Sequence, residues 1–596
     1  MLPEAALAAA DAALAREPAN AQLWNHRGRL LAELGRLDEA LSSFERAGDL
    51  QPASVEAHNN RGSALRALRR FGEAVKEYEI AIECAPGLAV VHRNRGETLF
   101  MLGRYDDALA SFDRAVELNA RDAAVQMARG ATLAMLKRND EAALAFETAI
   151  AIDPAFPEAL GQLFQARANL CDWRGRDAAV ADLLAAVRAG RRAAAPLVVL
   201  AATDSIADQA RCARTWSDTT APARPPLWRG ERYAHPRLRI AYLSSDFDDH
   251  AVAYLMAGVF ELHDRARFEV FALSSGTAAS ATMRARLTAA FEHFIDVSEH
   301  GDRDLAALIR SLEIDIVVDL NGHTLGSRTA ALAYRPAPRA ASYLGFPGTL
   351  SAPYVDYLIA DRYVIPPARE AQYAERVIAL ADVFQANDRK RAIGAAVSRV
   401  AVGLPEHGVV LCAFGNSYKI TPAMFDVWMR VLAQCEGSVL WLLDGPAALS
   451  ANLGREAQRR GVDASRLVFA PRLPYAEHLA RLRLADLFLD TLPFNGGATV
   501  SDALWAGVPV VTCSGEAMAA RMAGSLLQAI GMPELVTQTL GDYEAKAVTF
   551  ARDQEALARL RQKLAANRDA QPLFDTARFC RSLEAAYASI SMSSAA

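Results

Sequence analysis

Small and apolar residues recur every 34 positions over the first part of the chain. Four glycines keep this step: Gly28, Gly62, Gly96 and Gly130. An alanine, an aromatic residue and a second alanine form three more such columns: Ala40, Ala74, Ala108 and Ala142; Phe44, Tyr78, Phe112 and Phe146; Ala47, Ala81, Ala115 and Ala149. A fixed period of this length predicts stacked helix–turn–helix units, in which the small residues let helices approach and the aromatic ring fills the gap between neighbours.

These columns match the tetratricopeptide pattern, so we predict an α-solenoid over residues 1–160, with four full repeats over about 20–153. Stacked repeats form a superhelix with a concave binding face. Asn60 and Asn94 lie two positions before a repeat glycine, where an amide could hydrogen-bond an extended peptide. We predict that they bind a protein acceptor; the alternative is that they are ordinary solvated positions.

The pattern changes after the repeats. Residues 161–236 predict a helical connector followed by a proline-rich linker. Buried apolar runs then alternate with helical segments; examples are RLRIAYLSSDF (237–247), IDIVVDLNG (314–322) and ADLFLDTLPFNGG (485–497). Strands that alternate with helices predict a parallel, doubly wound sheet. We predict two Rossmann-like α/β domains, 237–385 and 386–596, the second carrying closing helices, with a ligand cleft at the carboxyl ends of the strands.

Composition narrows the class of function. The chain has 596 residues, 52% of them hydrophobic and 23% charged, and a formal net charge of -5. Without a basic surplus, general nucleic-acid binding is not expected. No apolar run is long enough for a membrane span, and acidic residues interrupt the alanine-rich first segment, which favours an amphipathic helix over a signal peptide. The seven scattered cysteines predict no disulfide framework, no metal site and a cytoplasmic location.

The segment 494–499 has the features of an anion-binding turn. Asn495, Gly496 and Gly497 follow a predicted strand, and a helix is expected to begin near Ala498 or Thr499. Glycines allow close backbone approach, and the free N–H groups of a helix start attract phosphate. Asp502, one turn later, could accept a hydrogen bond from a ribose hydroxyl. The alternative is a plain tight turn with a capped helix.

Four further side chains are candidates for the same cleft. Lys419 follows a strand and could neutralise charge on a leaving phosphate, whereas a lysine in such a place is more often on the surface. His250 could act as a general base or bind the acceptor, and is otherwise structural. His323 could line an acceptor site and His478 could contact a ribose. Asp246 is expected to cap the helix that follows it rather than to hold a metal.

The chain resembles the O-linked N-acetylglucosamine transferase/SPINDLY family of glycosyltransferases. The resemblance is carried by CDW (171–173), RIAYLSSDFDDHAVAYLM, HFIDVS, DLNGHTLGSR, RPAP, LGFPGT, FGNSYKI, LADLFLDTLPFNGG, SDALWAGVPVVT and GEAMAARMAGSLL. It covers nearly the whole chain, with the repeats placed before the catalytic body. It implies a GT-B fold and inverting, metal-independent transfer of a sugar to protein Ser or Thr, with a nucleotide sugar as co-substrate and no cofactor.

The resemblance also suggests roles for single residues. Lys419 looks like the lysine that stabilises the leaving nucleotide phosphate, and His250 like a histidine near the acceptor. His478 looks like the nucleotide-contacting histidine, and Asp502 like the acidic residue at the ribose. Asn416 stands beside the nucleotide, where a glutamine is common.

The chain departs from the family pattern on the donor side. The family usually has a histidine and a threonine where this chain has Gly497 and Ala498. In the family, these two side chains would hold the donor diphosphate. In this chain, Thr499 is the hydroxyl that remains in this turn. A donor with one phosphate, such as a CMP-activated nonulosonic acid, needs fewer contacts there than UDP-N-acetylglucosamine. Related bacterial proteins decorate flagellins with such sugars.

Three functions therefore compete. The first is a protein O-glycosyltransferase whose repeats capture the acceptor, with bacterial flagellin as the example by analogy. The second is a catalytically inactive repeat scaffold, supported by Gly497 and Ala498 but opposed by Lys419 and His250. The third is a GT-B enzyme that acts on a glycan or small molecule and uses its repeats to form a homo-oligomer.

Overall fold

The structure is a computed structural model that describes residues 3–276 and 280–592. The chain divides into two compact units, residues 1–166 and 167–596. The first is entirely helical, and the second contains two parallel β-sheets.

Consecutive helices of the first unit pair with one another: α1 (Pro3–Arg16), α2 (Ala21–Glu33), α3 (Leu37–Leu50), α4 (Val55–Ala67), α5 (Phe71–Cys84), α6 (Ala89–Met101), α7 (Tyr105–Leu118), α8 (Ala123–Met135) and α9 (Asn139–Ile152). The repeat glycine explains the close pairing. A Cβ placed on Gly28 would lie 2.5 Å from the ring of Phe44, and one on Gly96 would lie 2.7 Å from Phe112. The predicted solenoid is confirmed.

Four helices connect the repeats to the sheets: α10 (Ala159–Asn169), α11 (Arg176–Arg188), α12 (Pro196–Ala202) and α13 (Ile206–Thr220). The proline-rich linker after α13 runs along the first sheet domain. Leu227 N donates to Tyr334 O at 2.7 Å and Trp228 N donates to Arg335 O at 3.0 Å. These backbone bonds hold the linker against the protein.

The first sheet has seven parallel strands in the order β3-β2-β1-β4-β5-β6-β7. Its strands are β1 (Leu238–Ser244), β2 (Phe268–Ser274), β3 (His293–Asp296), β4 (Ile316–Asp319), β5 (Arg339–Ser342), β6 (Tyr357–Asp361) and β7 (Arg376–Leu380). The helices between them are α14 (Ala251–Leu262), α15 (Ala281–Ala290), α16 (Asp302–Ser311) and α17 (Thr329–Leu332). The order reverses between β1 and β4, so a crevice opens there at the carboxyl ends of the strands.

The second sheet has six parallel strands in the order β10-β9-β8-β11-β12-β13, which reverses between β8 and β11. Its strands are β8 (Val410–Ala413), β9 (Val439–Leu443), β10 (Leu467–Ala470), β11 (Leu487–Leu489), β12 (Val510–Cys513) and β13 (Val536–Thr537). Its helices are α18 (Pro422–Gln434), α19 (Ala447–Arg459), α20 (Tyr475–Leu482), α21 (Ala498–Ala506), α22 (Met522–Ala529), α23 (Leu540–Arg552) and α24 (Gln554–Ala570). Two such domains in one chain confirm the predicted pair of Rossmann-like folds.

The last helix, α25 (Thr576–Met592), returns to the first sheet domain. Its Glu584 accepts a bond from the buried His263 at 3.0 Å, and the other ring nitrogen of His263 lies 2.8 Å from Tyr242 Oη. The C-terminal helices α24 and α25 therefore pack against different sheet domains, α24 against the second and α25 against the first. No helix among residues 3–276 and 280–592 combines the length and the apolar character that a bilayer crossing requires.

Candidate active site

The second sheet reverses its strand order between β8 and β11, and the predicted donor residues follow these two strands. Lys419 comes six residues after β8, and Asp490 comes directly after β11. Ligands of open α/β sheets bind at such a switch point. The two side chains line one small cavity together with Gly496 and Thr499.

Lys419 is held by the turn after β11. Its Nζ donates to the carbonyl of Asn495 at 2.9 Å and lies 3.7 Å from the ring centroid of Phe494. Burial lowers the pKa of Lys419, and the nearby Asp490 carboxylate opposes that effect. Burial raises the pKa of Asp490, against bonds from Thr512, the backbone and the Lys419 charge. The ammonium has a backbone carbonyl and a buried carboxyl group as partners, and a ligand phosphate would add a stronger counter-charge.

The glycines after β11 shape the start of α21. Gly496 N donates to Asp490 Oδ1 at 2.7 Å, and a Cβ on Gly496 would lie 2.5 Å from Thr499 Oγ1. A Cβ on Gly497 would lie 2.9 Å from Gln385 Oε1. Asn495 is fully buried and its amide donates to Thr491 O at 2.7 Å, so it holds the turn from inside. The α21 N-terminus offers backbone N–H groups and the Thr499 side chain to an anion.

Asn416 and His478 lie in the segments that follow β8 and β10, the two strands on either side of β9. Asn416 is exposed, as a ligand contact requires. Burial and the charges of Arg481 and Arg472 lower the pKa of His478 to about 4. The neutral ring accepts from Arg481 through Nδ1 at 3.0 Å. Its proton is therefore on Nε2, which makes this nitrogen a hydrogen-bond donor.

His250 lies in the first sheet domain and faces the second. A cavity of about 220 Å³ is lined by His250, Tyr254, Tyr475, Ala498 and Asp502 among others, so residues of both domains meet there. The ring of Tyr254 stacks on that of Tyr475 with centroids 4.0 Å apart. His250 is 50% exposed in its side chain. The imidazole is therefore accessible from the cleft, next to the start of α21.

The expectation that Asp246 caps α14 is wrong. The cap is His250, whose Nδ1 accepts from Val252 N at 3.4 Å. Asp246 instead accepts from Asn321 Nδ2 at 2.9 Å and from Ser245 Oγ at 2.9 Å. Asn321 follows β4, so this bond ties the two loops at the switch point of the first sheet.

Asp502 has a stronger partner than a ribose hydroxyl. Its Oδ1 accepts from Arg391 Nη1 at 2.9 Å and from Tyr475 Oη at 2.6 Å. Burial raises the pKa of Asp502, and the Arg391 charge opposes this. This oxygen is held in an internal ion pair, and the ribose contact of Asp502 stays a prediction. Sequence reasoning missed Arg391 because the segment around it has no strand or motif signal.

The predicted acceptor residues are more buried than expected. His323 is 6% exposed, and its Nε2 lies 2.9 Å from the carbonyl of Leu350. Burial lowers the pKa of His323 to about 4, and its contact with an acceptor stays a prediction. Asn94 is 8% exposed and donates to Asn59 Oδ1 at 2.9 Å; Asn60 donates to Asn25 Oδ1 at 2.9 Å. These amides join neighbouring repeats, and their role toward a peptide stays a prediction.

The site thus combines a cation, a glycine-shaped helix N-terminus and a facing histidine between two Rossmann-like domains. This combination fits a ligand with a phosphate at one end and a reacting group that points toward the other domain. It is the architecture of the GT-B class of glycosyltransferases.

Comparison with known proteins specifies the family. A model described as glycosyl transferase family 41 matches residues 227–395 and 392–583. A tetratricopeptide repeat model matches residues 2–55, 38–89 and 93–157. The chain belongs to glycosyl transferase family 41.

Named relatives agree with this assignment. A probable UDP-N-acetylglucosamine–peptide N-acetylglucosaminyltransferase SEC of Arabidopsis thaliana is 38% identical over 375 residues, which are 62% of this chain and 38% of that protein. A UDP-N-acetylglucosamine–peptide N-acetylglucosaminyltransferase of Caenorhabditis elegans is 28% identical over 477 residues, covering 61% and 41%. The chain therefore matches about two fifths of the length of these relatives.

A solved structure extends the likeness to most of the chain. It is a lysine-to-methionine mutant of Thermobaculum terrenum O-GlcNAc transferase, 26% identical, with a TM-score of 0.69. The match covers 91% of this chain and 98% of that one.

Proposed function

We propose that this protein transfers a sugar from a nucleotide donor to a Ser or Thr hydroxyl of a protein. The observation that carries the proposal is the meeting of Lys419 with the α21 N-terminus at the switch point of the second sheet. Both groups attract anions, and the family is one of glycosyl transferases.

The chemistry follows from the charges. The acceptor oxygen forms a bond to the anomeric carbon of the sugar while the bond from that carbon to the phosphate oxygen breaks. The leaving nucleotide gains negative charge, which the Lys419 ammonium and the α21 N–H groups stabilise. The acceptor hydroxyl passes its proton to an oxygen of the leaving phosphate, and His250, whose Nδ1 accepts from Val252 N, presents Nε2–H to the acceptor from the facing domain. Burial lowers the pKa of Lys419 to about 8, and a bound phosphate would raise it again because the negative charge favours the ammonium form.

The repeats are the proposed acceptor-binding part. A cavity of about 490 Å³ in the first unit is lined by Phe71, Phe100 and Met101 among others, with Arg66, Arg69 and Glu97 at its polar side. Met101 is 55% exposed there. An exposed apolar pocket with charged neighbours suits a side chain of a protein segment. Bacterial flagellin is the acceptor we propose to test first.

Two donors compete. The curated relatives are named for UDP-N-acetylglucosamine, which carries two phosphates. In this chain Gly497 and Ala498 bring no polar side chain to the α21 N-terminus, which leaves Lys419, Thr499 and backbone N–H groups for the phosphate. That smaller set favours a donor with one phosphate, and we propose a CMP-activated nonulosonic acid as the alternative donor.

The catalytic proposal is tested by transfer of labelled sugar from each donor to purified flagellin. We expect one donor to label the acceptor and Lys419→Ala to lower the rate by about 10²–10³-fold. Lys546→Ala is the matched control, since Lys546 lies on α23 and the described structure gives it no role in the cleft. An undiminished rate for Lys419→Ala would remove Lys419 from the mechanism, and no transfer by the wild type from either donor would support the inactive scaffold instead.

A second comparison tests the acceptor. Met101→Glu puts a charge into the repeat pocket, while Leu144→Glu puts one on another exposed repeat position, 62% exposed. We expect only the first to weaken transfer to flagellin, with nucleotide binding unchanged in both. Equal transfer to flagellin by both variants would show that this repeat pocket does not bind the acceptor.

A further inference from the structure

A further cavity, of about 360 Å³, opens on the first sheet domain at a different place from the catalytic cleft. Arg339, Tyr357 and Arg376 line it, and each is the first residue of its strand, β5, β6 and β7 respectively. Tyr357 and Arg376 are paired in register. The cavity therefore lies at the amino ends of the strands, whereas the donor and acceptor groups follow carboxyl ends.

The lining is strongly cationic. Four arginines contribute to it, Arg214, Arg335, Arg339 and Arg376, against one lining carboxylate, Asp356. Asp356 is already engaged, because one oxygen accepts from Arg335 and the other from Ala340 N at 2.9 Å. The lining thus carries a surplus of positive charge inside a concave site, which focuses the field on an anion.

The linker adds an aromatic wall to this cavity. The backbone bond from Trp228 to Arg335 O fixes the tryptophan at the rim. Its indole Nε1 donates to Glu231 O at 2.9 Å, so the one polar atom of the ring is used by the protein. The ring face is then suited to pack against a flat group of a ligand.

We propose that this cavity binds a small organic phosphate, with the phosphoryl group on the arginines and a flat ring against Trp228. One guanidinium group can donate two parallel hydrogen bonds to two oxygens of a phosphate. The cavity volume of about 360 Å³ lies in the range of small-ligand pockets. A concave site lined from α13, the linker and the strand ends suits a compact ligand better than an extended acidic peptide. The proposal does not depend on the function of the cleft.

The arginines come from separate parts of the chain, so a bound ligand would connect two elements of the fold. Arg214 is on α13, before the linker, and Arg376 is on β7, after it in the chain. A phosphate held by both joins the connecting helices to the first sheet. Ligand binding is therefore expected to raise the unfolding temperature of the second unit by mass action.

The test is calorimetric titration of the full-length protein with ADP, in which the arginine variants distinguish this cavity from the cleft. We compare the wild type with the double variant Arg214→Ala/Arg376→Ala, whose two side chains are exposed. The matched control is Arg303→Ala/Arg362→Ala, which removes two exposed arginines of the same domain outside the cavity.

We expect one ADP per chain, weakened by roughly tenfold or more in the cavity variant and unchanged in the control. Trp228→Ala should weaken ADP but leave inorganic pyrophosphate unaffected. Hydrogen exchange of the wild type should show ADP protecting residues 351–357, a readout that needs no variant. Binding that the cavity variant retains in full, or no binding of ADP by the wild type, would overturn the proposal.

Discussion

Arg391 lies in the segment between the two sheets. Its buried guanidinium bonds to Asp502 on α21, the helix whose N-terminus forms part of the donor site. Its side chain is 1% exposed, and besides Asp502 it bonds Ser501 Oγ at 3.3 Å. It also lies over the rings of Trp505 and Phe574, at 5.3 Å and 5.6 Å from their centroids. The substitution Arg391→Leu keeps apolar volume against these rings and removes the charge.

The expected loss of unfolding free energy comes from the Asp502 carboxylate, which Arg391→Leu leaves buried without its ion-pair partner. Breaking one side of a buried ion pair costs about 3–5 kcal/mol, because the remaining charge has lost its compensation. Tyr475 still donates to Asp502 at 2.6 Å, which places the expected loss near the lower end of that range. Burial already raises the pKa of Asp502 above its ordinary value, and loss of the Arg391 charge raises it further.

The pH dependence has a definite sign. A carboxyl group with a raised folded-state pKa favours folding at low pH, where it is protonated, and that contribution is lost as pH rises through the folded-state pKa. The destabilisation by Arg391→Leu should therefore be larger at about pH 8 than at about pH 5.

The assay is urea unfolding followed by the fluorescence of the seven tryptophans, one of which, Trp505, lies beside the substituted position. The double variant Arg391→Leu/Asp502→Asn removes both charges and should recover more than half of the loss. Arg389→Leu is the control, since Arg389 is 48% exposed and pairs with Asp569 on the surface. A loss below about 1 kcal/mol, or equal losses at both pH values, would refute this reasoning.

Three further predictions concern other parts of the chain. Gly96→Val should destabilise the repeats, because its Cβ would meet the ring of Phe112 at 2.7 Å; a shift in the thermal unfolding of the full chain measures this, and an unchanged curve argues against tight packing. Nucleotide affinity should fall as pH rises through the lowered pKa of Lys419, whereas Lys419→Arg should hold its affinity to higher pH; parallel profiles would contradict the role of the ammonium. The NMR titration of the His478 ring, assigned with His478→Gln, should give a pKa of about 4; a pKa near 6.5 would disprove the burial effect.

The sequence predicted those features that a local pattern determines. The 34-residue period predicted the solenoid because each repeat makes the same glycine-to-aromatic contact, as Gly28 does with Phe44. Apolar runs that end in small polar residues predicted β1, β4 and β11. Lys419 and Gly496 could be found because they follow strand ends, where the fold brings loops together.

Features that depend on distant contacts could not be predicted in this way. The pairing of Arg391 with Asp502 joins positions 111 residues apart, and the stacking of Tyr254 on Tyr475 joins two domains. An amphipathic helix such as α25 shows which face is apolar but not which domain covers it. His250 and not Asp246 caps α14, and Asp246 accepts from Asn321, which comes from another strand end.

The central claim is that the cleft holds a nucleotide through Lys419 and the start of α21. The most direct measurement is calorimetric titration of the purified protein with CMP and with UDP, alongside Lys419→Ala and Lys546→Ala. We predict one nucleotide per chain, a preference for one of the two, and affinity that Lys419→Ala weakens while Lys546→Ala retains it. Binding of neither nucleotide, or equal binding by the wild type and Lys419→Ala, would contradict the claim.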